Sequence, residues 1–192
     1  MIVVLVVIDM IEDYFDPSIW PTSVIPSMRS SLVTSTNELV RGCRSAGIRV
    51  IWVGQEFDED MSDAFPHARA AGMRYAVKGT PGSRLLAELE PHAHDKMLTK
   101  RRFSAFYETP LHAALLESGA STLILAGITT AWCVRSTAVD AYQRDYDVIL
   151  AADCMAAFDE DAHRESLEAM DGYIGEVLTN VAILHRLGAN DG

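Results

Sequence analysis

Three polar residues stand where three apolar runs end. Asp9 follows Val3–Ile8, Lys100 follows Lys96–Thr99, and Cys133 lies just past Leu123–Ala126. A cysteine is intrinsically nucleophilic but mostly protonated at neutral pH. A carboxylate can take its proton, and an ammonium lowers the thiol pKa. Position adds to this. Cys133 follows Gly127-Ile128-Thr129-Thr130-Ala131-Trp132 at a strand-to-helix turn, and so falls at the start of the next helix. There the free N–H groups and the positive end of the helix dipole favour a thiolate, and the same N–H groups can hold an oxyanion. Singly, each residue has an ordinary explanation: the aspartate as a turn residue, the lysine as a solvated surface group, the cysteine as a small buried hydrophobe. Their coincidence at matching strand ends is what suggests one site.

Bringing the three together requires parallel strands whose carboxyl ends share an edge. Ile2–Ile8 is a continuous β-branched run, the pattern of a strand buried on both faces. Ile48–Val53, Lys96–Thr99, Thr122–Ala126, Asp147–Ala152 and the short Glu176–Leu178 read as further strands. Between them, residues 26–46 carry apolar positions at helical spacing and stop at Ala46-Gly47. Helices are also predicted over Ser83–Leu89, Pro110–Ser118, Ala131–Arg144 and Glu160–Met170. Residues 55–82 are polar and rich in Gly and Pro, and read as a long functional loop, with room for a short helix. Strands alternating with helices predict an α/β protein with a parallel sheet covered on both faces. In such sheets ligands sit beyond the carboxyl ends of the strands.

The whole chain narrows the partners. Its 192 residues, 49% of them hydrophobic, suit one domain spanning 1–192. A net charge of −11 argues against nucleic acid or an anionic membrane as partner, because both would repel it. The apolar run at Met1–Ile8 is too short to span a bilayer and lacks a basic flank, so it reads as a strand and not a signal peptide. Three cysteines, at 43, 133 and 154, are an odd number without metal-type spacing. Together these features predict a cytoplasmic, reducing setting.

Three segments resemble the isochorismatase-like cysteine hydrolase superfamily: Val6-Val7-Ile8-Asp9-Met10-Ile11-Glu12-Asp13-Tyr14-Phe15, Lys100-Arg101-Arg102-Phe103-Ser104-Ala105-Phe106-Tyr107-Glu108-Thr109-Pro110-Leu111, and Ala126-Gly127-Ile128-Thr129-Thr130-Ala131-Trp132-Cys133-Val134. Thr137-Ala138, Asp140-Ala141, Asp153 and Gly79-Thr80 fit as well, so the likeness runs through nearly the whole chain. It implies a three-layer α/β/α sandwich with a six-stranded parallel sheet. It also implies a catalytic triad, which falls on Asp9, Lys100 and Cys133. A non-proline cis peptide bond between Ile128 and Thr129 is implied too, aiming the Thr129 N–H, with that of Cys133, at the oxyanion. Tyr14, Phe106 and Trp132 are candidates to line the substrate pocket. Assembly as a homodimer or homotetramer follows from the same resemblance.

The chain departs from the family pattern at two places. Ile11 stands where glutamine is usual two residues after the aspartate. The segment Val53-Gly54-Gln55-Glu56-Phe57-Asp58 lacks the Asp-x-His pair by which nicotinamidases of the superfamily hold a metal. No metal and no cofactor is therefore expected. His92-Ala93-His94 lies in a polar loop and reads as solvated, and of Arg101 and Arg102 at most one can point inward to clamp a carboxylate. Cys43 reads as a structural residue in a helix, and Cys154 as one just beyond a strand end. The presence of Cys133 favours hydrolysis of a small amide or ureide, in the manner of the N-carbamoyl and ureido-type amidohydrolases. Two alternatives stay open: vinyl-ether hydrolysis of the isochorismatase type with Asp9 as general acid, and a catalytically idle interaction subunit.

Overall fold

Apolar runs such as Val3–Ile8 are stable as strands only when both faces are covered, and the fold covers them. A computed structural model describes residues 1–188. Strands β1 (Val3–Ile8), β2 (Arg49–Gln55), β3 (Lys96–Lys100), β4 (Thr122–Ile128), β5 (Asp147–Ala156) and β6 (Glu176–Leu178) form one parallel sheet in the order β3-β2-β1-β4-β5-β6. Alternation along each strand feeds two cores. Leu5 and Val7 of β1 and Ile124 and Ala126 of β4 face one side, whereas Val4, Val6, Leu123 and Leu125 face the other. Helices α1 (Arg29–Ser45) and α6 (Asn180–Gly188) close the first side through Leu32, Leu39, Val40, Ile183 and Leu187. Helices α3 (Leu111–Ser118), α4 (Arg135–Tyr142) and α5 (Glu160–Met170) close the second through Leu111, Leu115, Ala138, Ala141 and Met170. The result is a three-layer α/β/α sandwich. Burying five consecutive side chains of β1 contributes on the order of 10 kcal/mol before chain entropy is subtracted.

Several elements differ from the sequence reading. No helix forms over Ser83–Leu89. The Leu86 N–H donates to Met10 C=O at 2.9 Å, the Glu12 N–H donates to Arg84 C=O at 3.0 Å, and Ile11 and Leu85 form an antiparallel bridge. The backbone of this segment therefore bonds mainly to the chain leaving β1, with one local turn where the Leu89 N–H donates to Leu86 C=O at 3.1 Å. Residues 55–82 contain one short α-helix, α2 (Pro66–Ala70), and end in a single 3-10 turn at Pro81–Ser83. Strand β5 runs four residues past its expected end, to Ala156, because its pairing with β4 jumps from Leu125/Leu150 to Gly127/Met155. Cys154 consequently lies inside the strand, buried, with its thiol on Asn180 Oδ1 at 3.2 Å. Cys43 is buried on the core face of α1.

Candidate active site

β1 is flanked by β2 on one side and β4 on the other, so the order of strands reverses beside it and a crevice opens at its carboxyl end. Asp9 is the first residue past that end. Its N–H continues the ladder onto Val53 C=O at 2.8 Å, and its backbone then turns into the left-handed region, with φ of 54°. Aspartate enters that region more readily than most residues. Next to it, Gly127 of β4 lets the two backbones approach. A Cβ there would stand 2.0 Å from Ile8 C=O, and φ at this residue is +108°.

Lys100 ends β3, two strands away, and is fully buried. Its long stem carries the ammonium across β2 to Asp9, where Nζ lies 2.7 Å from Oδ2. The same Nζ donates to Gln55 Oε1 at 2.8 Å and Arg102 C=O at 3.0 Å, and it reaches Cys133 Sγ at 3.4 Å. Gln55 ends β2 and completes the clasp by donating its Nε2–H to Lys100 C=O at 3.1 Å.

Cys133 sits in a wide first turn, Thr130–Val134, ahead of α4, where the Val134 N–H reaches back five residues to Thr129 C=O at 3.1 Å. The Ile128–Thr129 peptide bond before that turn is cis. Two hydrogen bonds brace the turn. Thr137 Oγ1 donates to Cys133 C=O at 2.7 Å, and Thr130 Oγ1 meets His163 Nδ1 of α5 at 2.8 Å.

Electrostatics sets the protonation of the cluster. Burial pushes Asp9 above the ordinary carboxylate range, although Lys100, the Cys133 thiol and the Gln55 N–H all pull it down. Burial also works against the Lys100 ammonium, but the charges of Asp9 and Cys133 outweigh it and hold its pKa above the usual value. The Cys133 thiol is pushed up to about 12, first by burial and then by the negative charge and hydrogen bond of Asp9; Lys100 opposes the shift. The helix-start argument for a resting thiolate thus loses. A helix end contributes about 0.3–1 kcal/mol, less than burial beside a carboxylate takes away. Burial and the Asp9 charge thus oppose ionisation of the thiol, and the same carboxylate lies within reach to receive its proton.

The thiol opens on a cavity of about 400 Å³. One wall consists of Tyr14, Trp20, Tyr75 and Phe158, and the other of Phe65, Phe103, Trp132 and His67. Thr129 and Cys133 complete the lining. Rings touch in sequence from Phe158 through Trp20, Tyr75, Phe57, Phe65 and Phe103 to Trp132, with centroids 4.4 to 5.5 Å apart.

Comparison with known proteins bears on the same chain. The isochorismatase domain family matches residues 3–181. The chain belongs to the isochorismatase domain family. Within it, the chain is 34% identical over 168 residues to the ureidoacrylate amidohydrolase RutB of Methylorubrum extorquens, covering 77% of this chain and 67% of that one. An isochorismatase family protein from Desulfovibrio vulgaris has a TM-score of 0.84 at 30% identity, covering 97% of this chain and 98% of that one. N-carbamoylsarcosine amidase from Thermoplasma acidophilum has a TM-score of 0.78 at 29% identity, covering 94% and 97%. The family includes amidohydrolases among its hydrolases.

Within this isochorismatase-domain fold, Asp9, Lys100, Cys133, Thr129, Tyr14 and Trp132 meet at one strand edge, and the buried Ile128 carries the cis bond. Phe106 does not join them. It packs in the second core against Tyr146, with the Arg144 guanidinium 4.8 Å from its ring centre. The neighbouring Ala105 N–H is held by Thr137 Oγ1 at 2.9 Å, which turns the following residue away, and Phe103 faces the cavity instead. Neither Arg101 nor Arg102 lines the cavity. Arg101 pairs with Asp58 and Asp63, and Arg102 donates to the carbonyls of Asp63 and Arg101. Ile11 is buried in the core, and the side-chain amide at Lys100 comes from Gln55 instead. Gln55 was a missed polar strand end. Phe65, His67 and Tyr75 were missed inside residues 55–82, where aromatics in an otherwise polar stretch were the available signal. Trp20 and Phe158 gave none, since isolated aromatics in loops are common.

Proposed function

We propose that the chain is a cysteine hydrolase that cleaves the C–N bond of a small amide or ureide through a thioester. One observation carries this reading: a single ammonium, Lys100 Nζ, touches both the Asp9 carboxylate and the Cys133 sulfur at the floor of a cavity. Substrate binds with its carbonyl carbon over Sγ. As the S–C bond forms, the thiol proton passes to Asp9, so the thiolate is never exposed to bulk solvent. The carbonyl electron pair moves onto oxygen, where the N–H groups of Thr129 and Cys133 hold it. Collapse breaks the C–N bond, and protonated Asp9 gives its proton to the departing nitrogen. Water then enters, loses a proton to Asp9 and attacks the thioester. The C–S bond breaks, Asp9 returns the proton to sulfur, and an acid leaves. Lys100 remains charged throughout, keeping Asp9 oriented and offsetting the negative charge shared among Asp9, sulfur and oxygen. Every step uses groups of the chain, and residues 53–58 supply no Asp-x-His pair for a metal. RutB and the N-carbamoylsarcosine amidase, an amidohydrolase and an amidase by name, support the choice of bond.

Ammonia release from a panel of small amides and ureides tests the proposal. Replacing Cys133 with alanine is expected to abolish release while the far-UV spectrum and Tm stay near wild type. Ammonia release by a well-folded Cys133→Ala protein would remove the nucleophile assignment, and no release by either protein would favour acid catalysis by Asp9 on a vinyl ether. Homodimer or homotetramer assembly belongs to the same proposal, and sedimentation velocity would decide it.

A further inference from the structure

The cavity walls bear on what can enter. Among the residues lining it, seven of ten are Phe, Tyr or Trp, and none is Arg, Lys, Asp or Glu. The one lining side chain able to carry positive charge is His67, which lies exposed at the rim. Nearby cations are engaged elsewhere. Arg69 donates to the carbonyls of Ser62 and Ala64, Arg102 donates to Asp63 and Arg101, and Lys100 is paired with Asp9 beneath the thiol. A substrate carboxylate would therefore exchange water for aromatic rings with no partner, which is costly. It would also approach Asp9 within a chain of net charge −11. The floor offers a neutral polar group instead. Thr129 Oγ1 is buried and, among the described residues, has no hydrogen-bond partner, and its residue lines the cavity beside Cys133. A buried hydroxyl without a partner is a vacancy for a polar ligand atom. At ~30 Å³ per water-sized group, 400 Å³ holds roughly a dozen non-hydrogen atoms.

We infer that the substrate is an uncharged amide with a flat, apolar body of about one ring. Its body lies against the Trp20–Phe158 and Phe103–Trp132 faces, and its amide points to Thr129 Oγ1 and Cys133 Sγ. The inference rests on the amidohydrolase reading and names the substrate class for that site.

The test compares benzamide with 4-carbamoylbenzoate, the same amide bearing a carboxylate. The assay is run at the same pH, about 8, for both compounds. By ammonia release from the intact chain, kcat/KM for benzamide is expected to exceed that for the carboxylate by about 100-fold, the penalty for an unpaired charge. A cation placed at the rim by His67→Arg is expected to narrow that ratio about tenfold. A carboxylate hydrolysed as well as benzamide, or better, overturns the inference. If neither compound is hydrolysed, the amide reading has failed for this class, and calorimetric binding to the same protein decides the substrate chemistry separately. Benzamide binding at least about tenfold tighter than the carboxylate upholds an uncharged, apolar ligand, whereas equal affinity or no benzamide binding overturns it.

Discussion

At the scale of single residues, Asp9 raises the proton affinity of the Cys133 thiol, whereas the thiol's hydrogen bond lowers that of Asp9, and the first effect can be measured. Asp9 opposes ionisation of the thiol, while Lys100 favours it. Replacing Asp9 with asparagine keeps the shape but removes the opposing charge. Two effects are expected: turnover falls by at least about 100-fold with the loss of the general base, yet alkylation of Cys133 by iodoacetamide speeds up near pH 8. The pH at half-maximal alkylation should move down. An unchanged or upward midpoint would mean that Asp9 does not hold the thiol protonated. Turnover of the wild type needs Asp9 ionised to accept the proton. Because its pKa is raised, the acid limb of kcat/KM is expected above the ordinary carboxylate range, with activity lost as pH falls through it. Gln55→Leu removes one acceptor from a buried ammonium, a change of about 1.5–3 kcal/mol for a charged hydrogen bond. Part of this should appear in kcat while KM stays nearly constant, since Gln55 is not among the residues lining the cavity.

At the scale of elements, the site depends on close contact between β1 and β4 where the strand order reverses. Gly127→Ala would drive a Cβ into the Ile8 carbonyl at a residue whose φ of +108° suits glycine. A loss of about 3 kcal/mol, or ~6–12 °C in Tm, is expected by thermal unfolding. A smaller change would mean that the two strands can separate without harm. The wide turn carrying Cys133 is braced from α4 by Thr137 and from α5 by His163, so the nucleophile is held by neighbours as well as by its own helix. The segment 55–82 contributes Phe65, His67 and Tyr75 to the cavity, with Phe57 bridging the two walls behind them. It serves as a wall as much as a connection.

At the scale of the whole molecule, the far ends of chain segments are fastened by ion pairs at the sheet margin. Asp95, just before β3, accepts from the His92 N–H, Trp52 Nε1 of β2 and Arg44 of α1. Burial pushes Asp95 up, but these partners more than offset it and hold its pKa below the ordinary value. A depressed folded-state pKa means that the stabilisation is present above the unfolded value and is lost as pH falls through the folded one. Asp95→Asn is therefore expected to lower stability at neutral pH by about 1–3 kcal/mol. The difference from wild type should disappear in acid, as urea unfolding across pH would reveal. Among the described residues no helix is long and apolar enough to cross a membrane.

Fold class was legible because continuous runs such as Val3–Ile8 and Leu123–Ala126 can satisfy both faces only in a covered parallel sheet. Parallel strands put Asp9, Lys100 and Cys133 on one edge, so the cluster could be named from one-dimensional spacing. The sequence by itself determined those three residues and their shared edge. It did not determine their charge state. Whether Cys133 rests as a thiol depends on desolvation and on the nearness of Asp9, and both are properties of the packed molecule. Nor could it tell Phe106 from Phe103, since which aromatic faces the cavity was decided by a hydrogen bond from Ala105 to Thr137, 32 residues away. Ser83–Leu89 has the composition of a helix, but its backbone groups found partners at Met10 and Glu12. Local propensity amounts to tenths of a kcal/mol per residue. Partners supplied by a distant part of the chain outweigh it, and only the tertiary structure brings those partners within reach.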